Sequence, residues 1–242
     1  MTIIMLMEIT ERQKEILGTI VKEYVSSAKP VSSELLEKKY KFGISPATIR
    51  NEMQALTKKE YLMQPHISAG RIPTDKGYRF WVDTFSEKET FEVPNSLKIK
   101  KELEEEKRDT FAFAKRLTEL AADLTEGLVV VRLFESDFVF KEGWEDVMKE
   151  PEFKDKDCLL NFGEFLKDFE NDIEDLKMDS GVKVFIGEEN LFDKGDEFCA
   201  IVAPCQFPKK EQGIISIVGP KRMAYEKNIN LINSLMKLLE EF

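Results

Sequence analysis

Histidine and cysteine are scarce in this sequence, which has one histidine, His66, and three cysteines, Cys158, Cys199 and Cys205. One histidine excludes a histidine-rich metal site, and the cysteines show neither a CxxC pair nor zinc-finger spacing. An odd cysteine count excludes a fully paired disulfide framework, so we expect reduced cysteines in a cytoplasmic protein. The apolar start, residues 1–7, lacks the features of a signal peptide and falls far short of the ~20 apolar residues of a spanning helix. Phosphate loops, nucleophile elbows and metal motifs are missing too, so we expect neither an enzyme nor a cofactor.

Charge is unevenly distributed along the chain. The 242 residues carry a net charge of -10, an excess of acid that argues by itself against a nucleic-acid partner. Residues 1–85, however, hold 13 Lys/Arg and 10 Asp/Glu, a net of +3, whereas the remainder holds 23 and 36, a net of -13. A polar stretch with Pro94 near its end separates the two parts. We therefore predict one domain over residues 1–86, a linker over 87–96 and a second domain over 97–242.

The first domain begins with the pattern of two helices. Thr10 followed by Gln13 predicts a capping box, in which the glutamine side chain reaches back to the cap residue. Ser32 or Ser33 can cap a short second helix that ends near Tyr40. Apolar residues recur at three- and four-residue steps behind these caps. The residues predicted to face inward are Ile16, Leu17, Ile20, Val21, Tyr24 and Val25 in the first helix and Leu35 and Leu36 in the second.

A third helix and a hairpin follow. Ser45 and Pro46 predict a strong helix start after a turn at residues 41–44, and the apolar stripe of this helix is Ile49, Met53 and Leu56. Helix, short helix, turn and helix is the order of a helix-turn-helix. Residues 61–62 and a Gly-containing turn at 68–71 predict a hairpin wing before another short helix. We interpret this part as a winged helix-turn-helix.

In such a fold the third helix enters the major groove of DNA, and its outward residues meet base edges. Arg50 can donate two hydrogen bonds to guanine, and Asn51 or Gln54 can pair with adenine in the same manner. Ala47 and the methyl group of Thr48 suit a thymine methyl. A polar face on a short helix is often only solvated, so that alternative stays open.

Other residues are predicted to contact the DNA backbone or minor groove. The helix N-terminus at Ser45 suits a phosphate. The further predicted contacts are Ser33, Lys41, His66, Ser68 and Arg71. His66 can equally be a surface histidine without a ligand.

The second domain alternates helices and strands. Apolar periodicity predicts a long helix over residues 97–126, a strand over 128–134, an amphipathic helix over 157–178, strands over 182–186, 198–202 and 214–218, and a last helix around 229–239. The residues predicted to be buried on the first two helices include Leu103, Phe111, Ala114, Leu117, Ala121, Leu124, Leu159, Phe162, Leu166, Phe169, Ile173 and Leu176. Arg222 could hold an anion near the start of the last helix or form a structural ion pair.

Two runs carry a family resemblance. Residues 45–53 read SPATIRNEM and residues 64–80 read QPHISAGRIPTDKGYRF; both resemble the signature of the heat-inducible transcription repressor HrcA family. Ile67 stands where that family usually has threonine, and Trp81 where it usually has tyrosine. More weakly, residues 151–153, 186–190 and 219–225 resemble its GAF-like domain. Members of the family carry a dimerising insert within this domain. Only residues 133–149 lie at that place here, so most or all of the insert is absent.

The resemblance implies an α+β chain, with an N-terminal winged helix-turn-helix followed by a reduced GAF-like α/β domain. It further implies a repressor of heat-shock (chaperone) genes that binds an inverted-repeat operator in double-stranded DNA as a homodimer and depends on a GroEL-type chaperonin. Without the insert, the candidate dimer interfaces are the helices over 97–126 and 157–178. Two alternatives remain: a DNA-binding regulator gated by a small molecule in the GAF-like domain, and an enzyme fused to a DNA-binding module.

Overall fold

The computed structural model describes residues 9–85, 96–175, 181–190 and 192–242. The apolar start, most of the predicted linker and Leu176 lie outside the described residues. The chain divides into two compact units, Met1–Phe85 and Ser86–Phe242.

Unit 1 contains four helices and a small hairpin among its described residues. The elements are α1 (Glu11–Ser27), α2 (Ser33–Lys39), α3 (Pro46–Lys58), β1 (Leu62–Met63), β2 (Ile72–Pro73) and α4 (Asp75–Val82). Strands β1 and β2 pair antiparallel. The N-terminal caps of the first three helices come from hydroxyl side chains, Thr10, Ser32 and Ser45. The predicted capping box between Thr10 and Gln13 is confirmed, and Ser32 rather than Ser33 caps α2.

The core of unit 1 lies between α1, α2 and α3. Ile16, Ile20, Leu36 and Ile49 are fully buried there. Leu35, predicted to face inward, is exposed, because the seven-residue helix α2 buries only one narrow side.

An ion pair and a hydrogen bond join α1 to the end of α2. The Glu23 carboxylate is buried and accepts hydrogen bonds from Lys39 Nζ at 2.5 Å and from the Tyr40 hydroxyl. Burial raises the pKa of Glu23, but these two hydrogen bonds outweigh it and lower the pKa below its ordinary value. Glu23 therefore stays ionised at neutral pH and ties the two helices together.

Gly18 in the middle of α1 lies under the indole ring of Trp81. A Cβ at this position would lie 2.5 Å from Trp81 Cζ3. Alanine in a helix normally stabilises by up to ~1 kcal/mol relative to glycine. Here we expect Gly18→Ala to destabilise the protein by ~1–3 kcal/mol, because the ring must move out of a packed site.

Chemical denaturation of the full chain measures this effect, and Gly163→Ala is the matched control. Gly163 is exposed on a later helix, and a Cβ there would meet nothing within 4 Å. That control should be neutral or slightly stabilising. Equal stabilisation by both substitutions would contradict the packing of Trp81 on Gly18.

Unit 2 is built on a five-stranded sheet in the order β4-β3-β7-β6-β5, in which every neighbouring pair is antiparallel. Its strands are β3 (Leu128–Leu133), β4 (Phe138–Glu142), β5 (Lys183–Ile186), β6 (Phe198–Gln206) and β7 (Gln212–Pro220). Its helices are α5 (Ser96–Glu106), α6 (Thr110–Ala122), α7 (Trp144–Val147), α8 (Lys156–Asp172) and α9 (Tyr225–Leu239). Unit 2 is thus a mixed α/β structure.

Helices cover both faces of this sheet. Phenylalanines of α8, among them Phe162 and Phe165, pack on alternate residues of β3, β6 and β7 such as Val130 and Ala200. Helices α6 and α9 contact β3, β6 and β7 as well. With both faces covered, the central strands are buried at nearly every position.

Three predictions for unit 2 were wrong in part. The long helix over residues 97–126 is two helices, because Asp109 caps a new helix by accepting hydrogen bonds from the amides of Phe111 and Ala112. The new start changes the helix phase, which leaves Phe111 exposed. Leu159 is also exposed, because it lies in the first turn of α8. No strand was predicted where β4 lies, since its half-exposed residues give little apolar signal.

Candidate nucleic-acid interface

Helix α3 presents a polar face opposite a buried stripe. Ile49, Met53 and Leu56 are buried, as the sequence predicted. The residues of the other face that are exposed are Ala47, Arg50, Asn51 and Gln54. Thr48 is half-buried, and its backbone amide donates to Ser45 Oγ at 3.2 Å. The Ser45 hydroxyl thus caps the start of α3. Of the five residues predicted to contact bases, four are exposed to solvent.

Arg50 forms an ion pair with an acidic residue of α2. Its Nη2 donates to Glu34 Oε1 on α2 at 2.8 Å, and both side chains are exposed. Hydrogen bonds from its own backbone amide and from Ser32 hold the pKa of Glu34 below its ordinary value, and Arg50 lowers it further. Exposed ion pairs of this kind contribute ~0–1 kcal/mol. Arg50 can therefore exchange Glu34 for a base edge at little cost.

The segment between β1 and β2 forms a loop stiffened by one side chain. Gln64 Nε2 donates to the carbonyl oxygens of Ile67 and Ala69 at 2.8 and 2.9 Å. His66, Ile67 and Ser68 are exposed at its tip, and Ile67 is 98% exposed. The loop thus presents two of the predicted backbone-contacting residues, His66 and Ser68, to solvent.

Arg71 anchors this loop. Its backbone amide and carbonyl both pair with Val31, at 2.8 and 2.9 Å. Its Nε donates to Thr57 Oγ1 on α3 at 3.0 Å. The side chain is half-buried, so Arg71 holds the hairpin to α3, a role the sequence did not predict.

A groove of about 310 Å³ runs between α3, the start of α2 and the loop. Its lining includes Arg50 and Arg71 together with the polar side chains of Ser32, Gln64 and Ser68. The Glu34 carboxylate also lines the groove and pairs with Arg50, so the groove suits an anionic strand once Arg50 turns away from Glu34.

The two remaining predicted residues differ in accessibility. Lys41 is exposed in the turn before α3. Ser33 is buried, because it is the first residue of α2 and packs beneath the helix. Both Ser33 and its half-buried neighbour Ser32 line the groove, but Ser32 is the more accessible of the two.

Candidate residues in unit 2 have structural roles. Arg222 is buried in an ion-pair cluster: its Nε donates to Glu152 Oε1 at 2.8 Å, and its Nη2 contacts both Glu152 and Glu150. The arginine therefore forms the structural ion pair rather than an anion site. Cys158 and Cys205 are thiols whose pKa is raised by burial, that of Cys158 to about 11.

Within residues 9–85, 96–175, 181–190 and 192–242, no three His, Cys, Asp or Glu side chains come together as a metal site. No helix in the same part of the chain is long and apolar enough to cross a membrane.

Two features of the interface escaped the sequence prediction. The Arg50–Glu34 pair joins residues on different helices, and the role of Gln64 depends on the loop conformation. The resemblance of residues 64–80 to the family signature marked this loop as a candidate site. It did not predict which side chains would contact each other there.

Relatives of known sequence match different shares of the chain. A heat-inducible transcription repressor HrcA from Desulforudis audaxviator is 44% identical over 125 residues, which are 52% of this chain and 36% of that protein. One from Desulforamulus reducens is 39% identical over 127 residues, 37% of its length. The chain thus spans little more than a third of these relatives. One from Thermoanaerobacter sp. (strain X514) is 27% identical over 333 aligned positions, covering 96% of both chains. Since this chain has only 242 residues, part of that relative has no counterpart here.

A solved structure shares the fold. It is described as "Crystal structure of a hypothetical protein at 2.2 A resolution", has a TM-score of 0.73 and 22% identity, and covers 96% of this chain and 97% of its own. The family model described as "HrcA protein C terminal domain" matches residues 82–229, more than half of the chain. This chain therefore belongs to the HrcA family.

Proposed function

We propose that this protein is a heat-inducible transcription repressor whose first unit, a winged helix-turn-helix over residues 1–86, binds double-stranded DNA in a sequence-specific manner. The observation that carries the proposal is the exposed polar face of α3 beside the groove and the stiffened loop. The repressor names of its relatives support the same function.

In this proposal, α3 lies in the major groove. Arg50 leaves Glu34 and donates two hydrogen bonds to a guanine, and Asn51 or Gln54 pairs with an adenine. Ala47 and Thr48 contact a thymine methyl. Arg50 and Gln54 lie four residues apart on the same side of α3, and both are exposed, so both can reach the same groove.

The rest of the interface contacts the DNA backbone. The N-terminus of α3 at Ser45 faces a phosphate, and Lys41, His66 and Ser68 extend the contact on either side. Arg71 holds the loop against α3 and also lines the groove, where its guanidinium contacts the DNA backbone. The Ser33 side chain is buried, so the neighbouring Ser32 provides the accessible hydroxyl at the start of α2.

A net charge of only +3 over residues 1–85 gives modest nonspecific affinity. The protein therefore acts as a homodimer on an inverted repeat, since two half-sites bound as one unit raise both affinity and specificity. The second unit, a GAF-like domain, joins the two copies and couples repression to a GroEL-type chaperonin. It has no catalytic role.

One observation favours the alternative of a small-molecule effector. An open cavity of about 440 Å³ lies between the β6–β7 turn and the end of α9, lined in part by Phe207, Lys209 and Met236. Operator affinity that responds to a metabolite but not to chaperonin would favour this alternative over the chaperonin-dependent repressor.

Selection of bound sequences from random duplex DNA with the full chain tests the proposal. We expect enrichment of one inverted repeat whose half-sites contain a guanine and an adenine. Failure to enrich any sequence, at a salt concentration where the protein still binds duplex DNA, would contradict sequence-specific recognition.

A further inference from the structure

Strand β4 lies at one edge of the sheet in unit 2 and pairs only with β3 among the described strands. Its outer edge therefore offers unpaired backbone amides and carbonyls, which can template pairing with another strand. Natural proteins usually protect such edges with proline, bulges or outward charges. β4 reads FVFKE and has no proline; its lysine is held on α8 by Glu170, and its other charge, Glu142, lies at the last position of the strand.

An aromatic cluster lies beside this edge. Phe138 and Phe140, two residues apart, point to the same side of the sheet as Phe111 of α6. The ring centroids of Phe111 and Phe138 are 5.2 Å apart, and those of Phe138 and Phe140 are 4.9 Å apart. Phe111 and Phe138 nevertheless remain 43% and 45% exposed. Grouped exposed aromatics of this kind are typical of interaction surfaces.

The opposite side of β4 is already occupied. Val139 packs on the core cluster beneath α8. Lys141 Nζ donates to both carboxylate oxygens of Glu170 on α8, at 2.8 and 2.9 Å. One side of β4 is thus packed against α8, and the other side carries the exposed aromatic cluster.

We infer that β4 is the edge through which two copies of this chain pair, forming one continuous antiparallel sheet. The inference rests on the homodimer proposed above and names its interface. In an antiparallel pair, residues opposite each other point to the same side of the sheet. A two-fold axis at Val139 therefore places Phe138 opposite the partner's Phe140, and Phe140 opposite the partner's Phe138.

This register places no like charges opposite each other. It brings Asp137, whose side chain is 81% exposed and pairs with Arg132, opposite the partner's Lys141, which is held by Glu170 of its own chain. Moving the axis to Phe140 would instead place Phe138 opposite the partner's Glu142. Centring the pair on Val139 joins the two aromatic clusters, with the two Phe111 rings beside them.

Cysteine cross-linking tests the register. Directly opposite residues have Cα atoms about 4.5–5.5 Å apart, within disulfide range, whereas residues two positions out of register are too distant. We expect co-expressed Phe138→Cys and Phe140→Cys chains, with different tags, to form a disulfide-linked heterodimer under mild oxidation. Each variant alone and the unmodified chain should remain unlinked. Linkage of either variant to itself, with none between them, would overturn the register.

Sedimentation distinguishes a failure of the proposed β4 interface from a failure of the proposed homodimer. We expect Phe140→Lys to raise the dimer dissociation constant by at least ~10-fold. The control Leu160→Lys, at a residue 67% exposed on α8, should leave it unchanged. Circular dichroism confirms that both variants fold. A dimer that survives Phe140→Lys would overturn the β4 interface and leave the homodimer standing. An unmodified chain that stays monomeric at high concentration would overturn both, whereas DNA binding by unit 1 is tested separately.

Discussion

Replacing Arg222 with leucine is expected to lower the free energy of unfolding by about 3–5 kcal/mol at pH 7. The Arg222 side chain is 8% exposed and is held by Glu150 and Glu152. Leucine removes the only arginine of this cluster and leaves two partly buried carboxylates close together. Uncompensated buried charges are far more costly than a broken surface pair.

The free energy of unfolding that Arg222→Leu loses should become smaller as the pH falls. Burial raises the pKa of Glu150, and the attraction of Arg222 offsets only part of that effect. Without the arginine, the pKa of this carboxyl in the folded state lies further above its unfolded value, so protonation favours the folded state. The difference between Arg222→Leu and the unmodified protein should therefore narrow as the pH drops from 7 towards 5.

Urea denaturation at several pH values measures both effects. Lys149→Leu is the matched control, because its ion pair with Asp146 is exposed on both sides and should contribute little to stability. Adding Glu150→Gln and Glu152→Gln to Arg222→Leu should restore part of the stability. An Arg222→Leu protein as stable as the control at pH 7 would refute the cluster's structural role.

Replacing Arg50 with alanine should weaken binding to the selected operator by ~1–3 kcal/mol, which is about 5–150-fold. The guanidinium is expected to donate two hydrogen bonds to one guanine, so the loss should relax the sequence preference at that position. Asn51→Ala should have an effect of similar size at an adenine. Neither side chain contributes to the core, so stability should change little.

Two controls separate base reading from general charge. Lys14→Ala removes one positive charge from an exposed position on α1, and it should leave the sequence preference intact. Glu34→Gln removes the acidic partner of Arg50, and it should leave binding unchanged or slightly tighter. Fluorescence anisotropy with labelled duplexes measures all four variants. Unchanged operator affinity in Arg50→Ala and Asn51→Ala would remove these residues from the interface.

The sequence predicted local features of the fold better than its long-range ones. The caps at Thr10 and Ser45 and the buried stripe of α3 depend on residues close in sequence, and all three were confirmed. The break at Asp109 was missed because the apolar spacing on both sides is helical. Strand β4 was missed because an edge strand buries too little to show a strong apolar pattern.

The features of the candidate site likewise divide into local ones, which the sequence predicted, and contacts between elements, which it did not. The exposure of Arg50, Asn51 and Gln54 follows from the helical period once Ile49 and Met53 are buried. The pairing of Arg50 with Glu34 and the anchoring of Arg71 on Thr57 depend on how separate elements pack. Patterns within one helix cannot reveal such contacts.

The ratio of affinities for the selected inverted repeat and a scrambled duplex, measured at one salt concentration, tests the central claim most directly. If unit 1 reads DNA sequence as proposed, the full chain should prefer the repeat by at least ~10³-fold. A ratio near one would contradict it, because only the nonspecific attraction of a mildly basic surface would then remain.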